Sequence, residues 1–143
     1  GPAEEVVGYD PGEVHGCFAR SDYVVLACPL TDTTRGLVDA QAFRTLPPDA
    51  CIVNVARGPV VDTEALVAAL RGNFIRGAVL DVTDPEPLPD DHPLWGMEEV
   101  LITPHIGGYT HDYWVQLADL LARNLEHVTA TGQYDGLENQ VFP

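Results

Sequence analysis

Four short apolar runs fix what this chain can fold into: Tyr23-Val-Val-Leu-Ala-Cys28, Cys51-Ile-Val-Asn-Val55, Gly77-Ala-Val-Leu-Asp-Val82 and Val100-Leu-Ile-Thr103. They are rich in β-branched residues, almost continuously hydrophobic and only a few residues long. That is the pattern of strands covered on both faces. Helix signals lie between and around them. One runs from Gly12 to Arg20, weakened by its glycines. Another covers Ala40 to Arg44, after an N-cap at Asp39 and closed off by Pro47-Pro48. A third runs from Thr63 to Arg71, between an N-cap at Asp62 and a C-cap at Gly72. The longest runs from His111 to about Ala130, capped by Thr110 and ended by Gly132. Its Trp114, Leu117, Leu120, Leu121, Leu125 and Val128 recur at helical spacing as a core or domain-facing stripe. Strand alternating with helix gives a parallel sheet in a three-layer α/β domain.

Charge narrows the partners. Twenty-two acidic residues face seven basic ones, all arginine, for a net charge of −15. Nucleic acid and anionic membranes are thereby excluded as partners. The absence of lysine goes further than a generic acidic surface and points to adaptation to high salt, where self-repulsion is screened. No apolar run approaches the roughly 20 residues of a membrane span, and no basic-then-apolar leader opens the sequence, so a soluble cytoplasmic protein is expected. Cys17, Cys28 and Cys51 form no CxxC pair. They read as reduced thiols rather than metal ligands, with Cys28 and Cys51 buried in or at the end of strands. No metal site is expected.

Three residues carry chemistry, and each follows one of the apolar runs: Arg57 in Asn54-Val-Ala-Arg-Gly-Pro-Val-Val-Asp62, Glu86 in Leu80-Asp-Val-Thr-Asp-Pro-Glu-Pro87, and His105 in Thr103-Pro-His-Ile-Gly-Gly-Tyr-Thr110. α/β enzymes place their reactive groups at such strand ends. A guanidinium grips a carboxylate at two points. A histidine passes a proton near neutral pH, and a carboxylate beside it selects its tautomer. Together these parts suit reduction of a 2-keto acid. Asp39 and Asp62 read as helix caps rather than catalytic acids.

These segments, with Cys28-Pro-Leu-Thr-Asp-Thr-Thr-Arg-Gly-Leu37 and Asp81-Val-Thr-Asp-Pro-Glu-Pro-Leu-Pro89, resemble the D-isomer-specific 2-hydroxyacid dehydrogenase family, most closely its glyoxylate and hydroxypyruvate reductase branch. Arg57 precedes Glu86 by 29 residues and His105 by 48, which matches the family's spacing. The resemblance runs from about Tyr23 to the C-terminus. It implies a Rossmann-like parallel sheet with flanking helices. It also implies that Arg57 holds the substrate carboxylate, that His105 protonates the keto oxygen as a hydride arrives from NAD(P)H, and that Glu86 hydrogen-bonds His105.

The same resemblance implies cofactor contacts. Asp81 would accept a hydrogen bond from the nicotinamide carboxamide. Cys28, Pro29 and Thr34 would lie in the loop beside the cofactor, with Cys28 equally read as a plain buried thiol. Val55, Ala56, Arg57, His105, Ile106, Gly107 and Gly108 would also approach it. For Gly107 and Gly108 the physical reason is close backbone approach or a positive φ.

Departures from the family pattern set further expectations. No G-x-G-x-x-G follows a strand. Asp10 could imitate the acid that binds the ribose hydroxyls, but only 12 residues separate it from Tyr23. That is tight for a crossover helix, so Asp10 reads as a helix-start residue. The residue that selects NAD or NADP is absent, and so is a separate substrate domain. Residues 1–130 are therefore expected to be the C-terminal part of a dinucleotide-binding domain lacking its glycine-rich first βαβ part, and residues 131–143 a C-terminal tail. The central strand would be missing, leaving an exposed edge. Such a chain is expected to be inactive by itself, and its parent protein to be a homodimer acting on a small 2-keto acid with NAD or NADP. Two other functions fit less well: a related enzyme such as phosphoglycerate dehydrogenase, and a non-enzymatic, corepressor-like module that senses NAD(H).

Overall fold

In the computed structural model, which describes residues 7–9 and 11–139, all four apolar runs become strands of a single parallel sheet. They are β1 (Tyr23–Leu26), β2 (Cys51–Asn54), β3 (Gly77–Leu80) and β4 (Val100–Ile102), hydrogen-bonded in the order β1-β2-β3-β4. β1 is shorter than its apolar run because Ala27 and Cys28 turn away ahead of Pro29, which has no N–H to offer a ladder. The helices are α1 (Val14–Phe18), which follows a 3₁₀ turn at Pro11–Glu13, then α2 (Ala40–Thr45), α3 (Thr63–Arg71) and α4 (Tyr113–Thr131). Asp10 lies outside the described residues.

Two of the three expected N-caps form, both by aspartate. The Asp39 carboxylate accepts from the N–H groups of Gln41 (2.9 Å) and Ala42 (2.8 Å), and Asp62 accepts from Ala65 N–H (2.9 Å). Each cap is worth about 1 kcal/mol.

Strand order matching chain order has a geometric result. Right-handed crossovers that all step the same way put their helices on one face of the sheet. The register shows this. Val24, Ile52 and Ala78 are paired neighbours, as are Leu26, Asn54 and Leu80, and all six are buried. The five apolar ones pack in one cluster with Phe43 of α2 and with Leu66 and Leu70 of α3. Burying such aliphatic and aromatic side chains stabilises the fold by about 1.5–3 kcal/mol each. The next row on the opposite face is Val25, Val53, Val79 and Leu101, with Val25 60% and Leu101 58% exposed. The expectation of cover on both faces is therefore corrected. A doubly wound sheet gains its second layer from crossovers that step the other way, and the described residues contain none.

The chain divides into two compact units after Gly107. The first holds the sheet. The second holds α4, which begins at Tyr113, two residues later than expected. Asp112 occupies the N-cap position without a side-chain cap, and Thr110 contributes only its carbonyl, to Tyr113 N–H. Gly132 ends the helix with φ of 68°, in the left-handed conformation that favours glycine. No residue of α4 is buried, so its apolar stripe is not a core. The irregular residues after it are fastened back within this unit: Arg123 donates to both oxygens of Glu138 (2.8 and 2.9 Å).

The three cysteines are unpaired thiols; Cys51 is buried, whereas Cys28 is only half-buried, against expectation. Burial pushes the Cys51 thiol up, partly opposed by Arg76. Among the described residues no helix is long and apolar enough to cross a membrane.

Candidate active site

All the chemistry-bearing residues of the first unit leave the sheet at its carboxyl edge. Cys28 follows β1, Arg57 follows β2, Asp81 follows β3 and His105 follows β4. Parallel strands gather such residues at one edge without any of them being close in sequence.

The turn that carries Arg57 is held by Asn54, which is 1% exposed at the end of β2. Its Oδ1 accepts from Ala56 N–H (3.0 Å) and its Nδ2 donates to the Arg57 carbonyl (3.1 Å). The guanidinium is exposed; its Nη1 donates to the Ala56 carbonyl (2.6 Å), and it forms no ion pair among the described residues. Gly58 follows. A Cβ there would collide with the Thr83 carbonyl, so only glycine lets the arginine turn pack against the loop that leads to Glu86.

Thr63 at the start of α3 holds that second loop by donating its hydroxyl to the Asp84 carbonyl (2.9 Å). Glu86 projects from the same loop and receives His105: Nδ1 stands 2.6 Å from Oε1. An ionised carboxylate only accepts, so Nδ1 carries the hydrogen and Nε2 is left for other work. Nε2 has no hydrogen-bond partner among the described residues. Glu86 and His105 share a pocket of about 210 Å³ with Asp81, Leu88, Trp95 and Thr103. Trp95 is fixed as one wall by its indole N–H, which donates to the Pro89 carbonyl (2.8 Å).

Asp81 is 7% exposed and takes three donors: the Thr103 hydroxyl (2.5 Å) and Ile106 N–H (2.9 Å) on Oδ1, and Gly107 N–H (2.7 Å) on Oδ2. The Thr103 hydrogen bond above all holds this carboxyl below its ordinary value. Burial opposes that, while the two backbone N–H groups and the charge of His105 add to it. A carboxylate has about four lone-pair sites, so one on Oδ2 is still open to a further donor.

The remaining expected residues sort into two groups. Cys28, Pro29, Val55, Ala56 and Arg57 line one open groove of about 500 Å³ at the ends of β1 and β2. Thr34 does not line it. Its hydroxyl donates to the Pro29 carbonyl (2.7 Å) and so shapes the loop that forms the groove. Gly107 meets the expectation of close approach, but the group it approaches is the Asp81 carboxylate: a Cβ would stand 2.8 Å from Oδ2. Gly108 belongs to the second unit, and a Cβ there would meet nothing. Among the described residues no cluster of three or more His, Cys, Asp or Glu side chains could hold a metal ion.

Sequence reasoning missed Asn54, Gly58 and Thr103. Only Asn54 gave a signal, as a polar residue closing an otherwise apolar strand just before the arginine.

Known proteins resemble the chain in sequence and in fold. Residues 2–107 match the family model described as "D-isomer specific 2-hydroxyacid dehydrogenase, NAD binding domain". A glyoxylate reductase of Thermofilum pendens is 46% identical over 106 residues, covering 74% of this chain and 31% of the relative. The human glyoxylate reductase/hydroxypyruvate reductase is 43% identical over 107 residues, covering 75% and 33% respectively. The chain thus spans about a third of the length of these curated relatives. Among solved structures, a D-isomer specific 2-hydroxyacid dehydrogenase from Xanthobacter autotrophicus Py2, crystallised in complex with NADPH and MES, superposes with a TM-score of 0.82 at 43% identity. The match covers 92% of this chain and 52% of that one.

Proposed function

The chain belongs to the D-isomer-specific 2-hydroxyacid dehydrogenase family, and on that premise we propose that it carries the catalytic residues of an NAD(P)-dependent reductase of small 2-keto acids, glyoxylate or hydroxypyruvate. The observation that carries this reading is the 2.6 Å contact of His105 Nδ1 with Glu86, which leaves Nε2 free at the strand edge that also bears the unpaired Arg57.

The residues divide the work. The groove formed by Cys28, Pro29, Val55 and Ala56 and the open lone pair of Asp81 fit a nicotinamide ring and its carboxamide. When bound, the reduced nicotinamide supplies the hydride that the keto carbon accepts. Arg57 grips the substrate carboxylate and polarises the keto oxygen. His105 gives that oxygen its proton from Nε2 and takes one back in the oxidative direction. Glu86 holds the Nδ1 hydrogen, fixes the ring and balances the positive charge. Coverage of about a third of the relatives' length supports a complete enzyme with a substrate domain outside this chain.

Three further parts complete the proposal. The homodimer follows from the family resemblance, and a cytoplasmic location is part of the same proposal. Adaptation to high salt is supported by twenty-two acids against seven arginines and no lysine.

The test is oxidation of NADH and NADPH with glyoxylate and with hydroxypyruvate, at low salt and in molar KCl, on the complete enzyme that contains this chain and on its His105→Ala variant. We expect turnover that rises with salt and is lost in the variant. Cofactor binding with no keto-acid turnover in either protein would point instead to a sensing module.

A further inference from the structure

We propose that Asp81 is the positioning residue of this site, its carboxylate clamping the chain on both sides of His105 and holding the imidazole where Glu86 receives its Nδ1 hydrogen. The role presupposes the reading above, in which His105 is the proton donor.

The argument begins at the backbone. His105 has φ of 55°, in the left-handed region that side chains other than glycine enter at a cost. Such a residue persists only where its surroundings hold it, and here, besides the backbone bonds of His105 N–H to the Thr103 carbonyl and Thr103 N–H to the Leu80 carbonyl, three hydrogen bonds around it converge on one carboxylate. Thr103, two residues before His105, donates its hydroxyl to Oδ1; Ile106 and Gly107, the next two residues, donate their N–H groups to Oδ1 and Oδ2. Successive N–H groups after a left-handed residue form a concavity that binds an anion, and Asp81 fills it from within the protein. The segment from Thr103 to Gly107 is wrapped around that charge.

Two independent features agree. A Cβ on Gly107 would lie 2.8 Å from Oδ2, so the close approach that forbids a side chain at this position is the approach of Asp81 itself. Asp81 is also buried at the end of β3, where it has little freedom to yield. β3 and β4 are neighbours in the sheet, so the clamp fixes the histidine loop to the strand beside it.

Thr103 separates the two roles, because changing it leaves the carboxylate available to a cofactor. In ¹⁵N-labelled protein, Thr103→Val should speed amide exchange at Ile106 and Gly107 roughly 10-fold or more and broaden or abolish the downfield Nδ1–H resonance of His105. Thr103→Ser, which keeps the hydroxyl and loses only a methyl group, should preserve both signals and so exclude a packing effect. Asp81→Asn should lose both. Unchanged exchange and an unchanged His105 resonance in Thr103→Val and Asp81→Asn would overturn the proposal.

Kinetics give the second arm. In the complete enzyme, Thr103→Val should lower kcat with little change in KM for the reduced cofactor. A raised cofactor KM with kcat intact would make Asp81 a cofactor ligand alone and also overturn the proposal. If no keto acid is turned over, the functional reading fails, and the resonance data still decide the clamp.

Discussion

His105 Nδ1 and Glu86 Oε1 stand 2.6 Å apart, yet the two side chains are 45% and 41% exposed. An ion pair this open to water adds little to stability, within about 1 kcal/mol. Its short distance serves the orientation of the ring. Glu86→Gln should therefore leave the unfolding midpoint nearly unchanged while kcat falls about 100-fold, in the range of lost acid–base assistance. Parallel denaturation and turnover measurements check this, and a large loss of stability with normal turnover would contradict it.

Arg57 is exposed and makes no ion pair among the described residues, so truncating it breaks no structural charge pair. Arg57→Ala should keep the fold, keep reduced-cofactor binding by fluorescence titration, and lose about 100-fold or more in kcat/KM for the keto acid. Arg57→Lys should recover only part of that loss, because an ammonium cannot present two parallel donors.

Gly58→Ala tests a different requirement. The new methyl group has no space beside the Thr83 carbonyl, and neither backbone can yield without moving Arg57 or Glu86. A loss of about 3 kcal/mol in urea unfolding is expected, at the upper end for overpacking. Near wild-type stability would mean that the two loops are not pressed together.

Asp81 sets a pH dependence whose sign follows from its lowered carboxyl pKa. A group that ionises more readily folded than unfolded stabilises the fold fully above its unfolded pKa. It loses that contribution as pH falls through the folded value. With an ordinary value of 3.8, wild type and Asp81→Asn should differ most in melting temperature above about pH 4 and converge in stronger acid. Curves that stay parallel through that window would remove Asp81 from the acid transition.

The strands and caps were legible because they depend on local pattern. The apolar runs, Asp39, Asp62 and Gly132 all occupy the elements expected of them. The trio of Arg57, Glu86 and His105 was singled out by its spacing, and the structure brings Glu86 and His105 into contact. What could not be read is whatever depends on the path of one loop past another. Gly58 matters because of Thr83, and Gly107 because of Asp81, and nothing beside either glycine names its partner. Thr103 is one more β-branched residue at the end of an apolar run until the structure places its hydroxyl on Asp81. The one-sided cover of the sheet was missed for a related reason: apolar continuity marks a surface that needs covering, not the element that covers it.

A sheet whose strands are ordered as they occur in the chain also suits assembly in the order of synthesis. Each new strand docks on the one made just before it, so every loop closure is short and no earlier pairing has to open. The active groups then arrive in sequence: the arginine with β2, the aspartate with β3, and the histidine only after β4. A nascent chain stopped short of β4 would already present Arg57, the proposed grip on the substrate, without His105, the proposed proton donor. Competence for chemistry would be acquired in one late step, when the last strand takes its place at the edge.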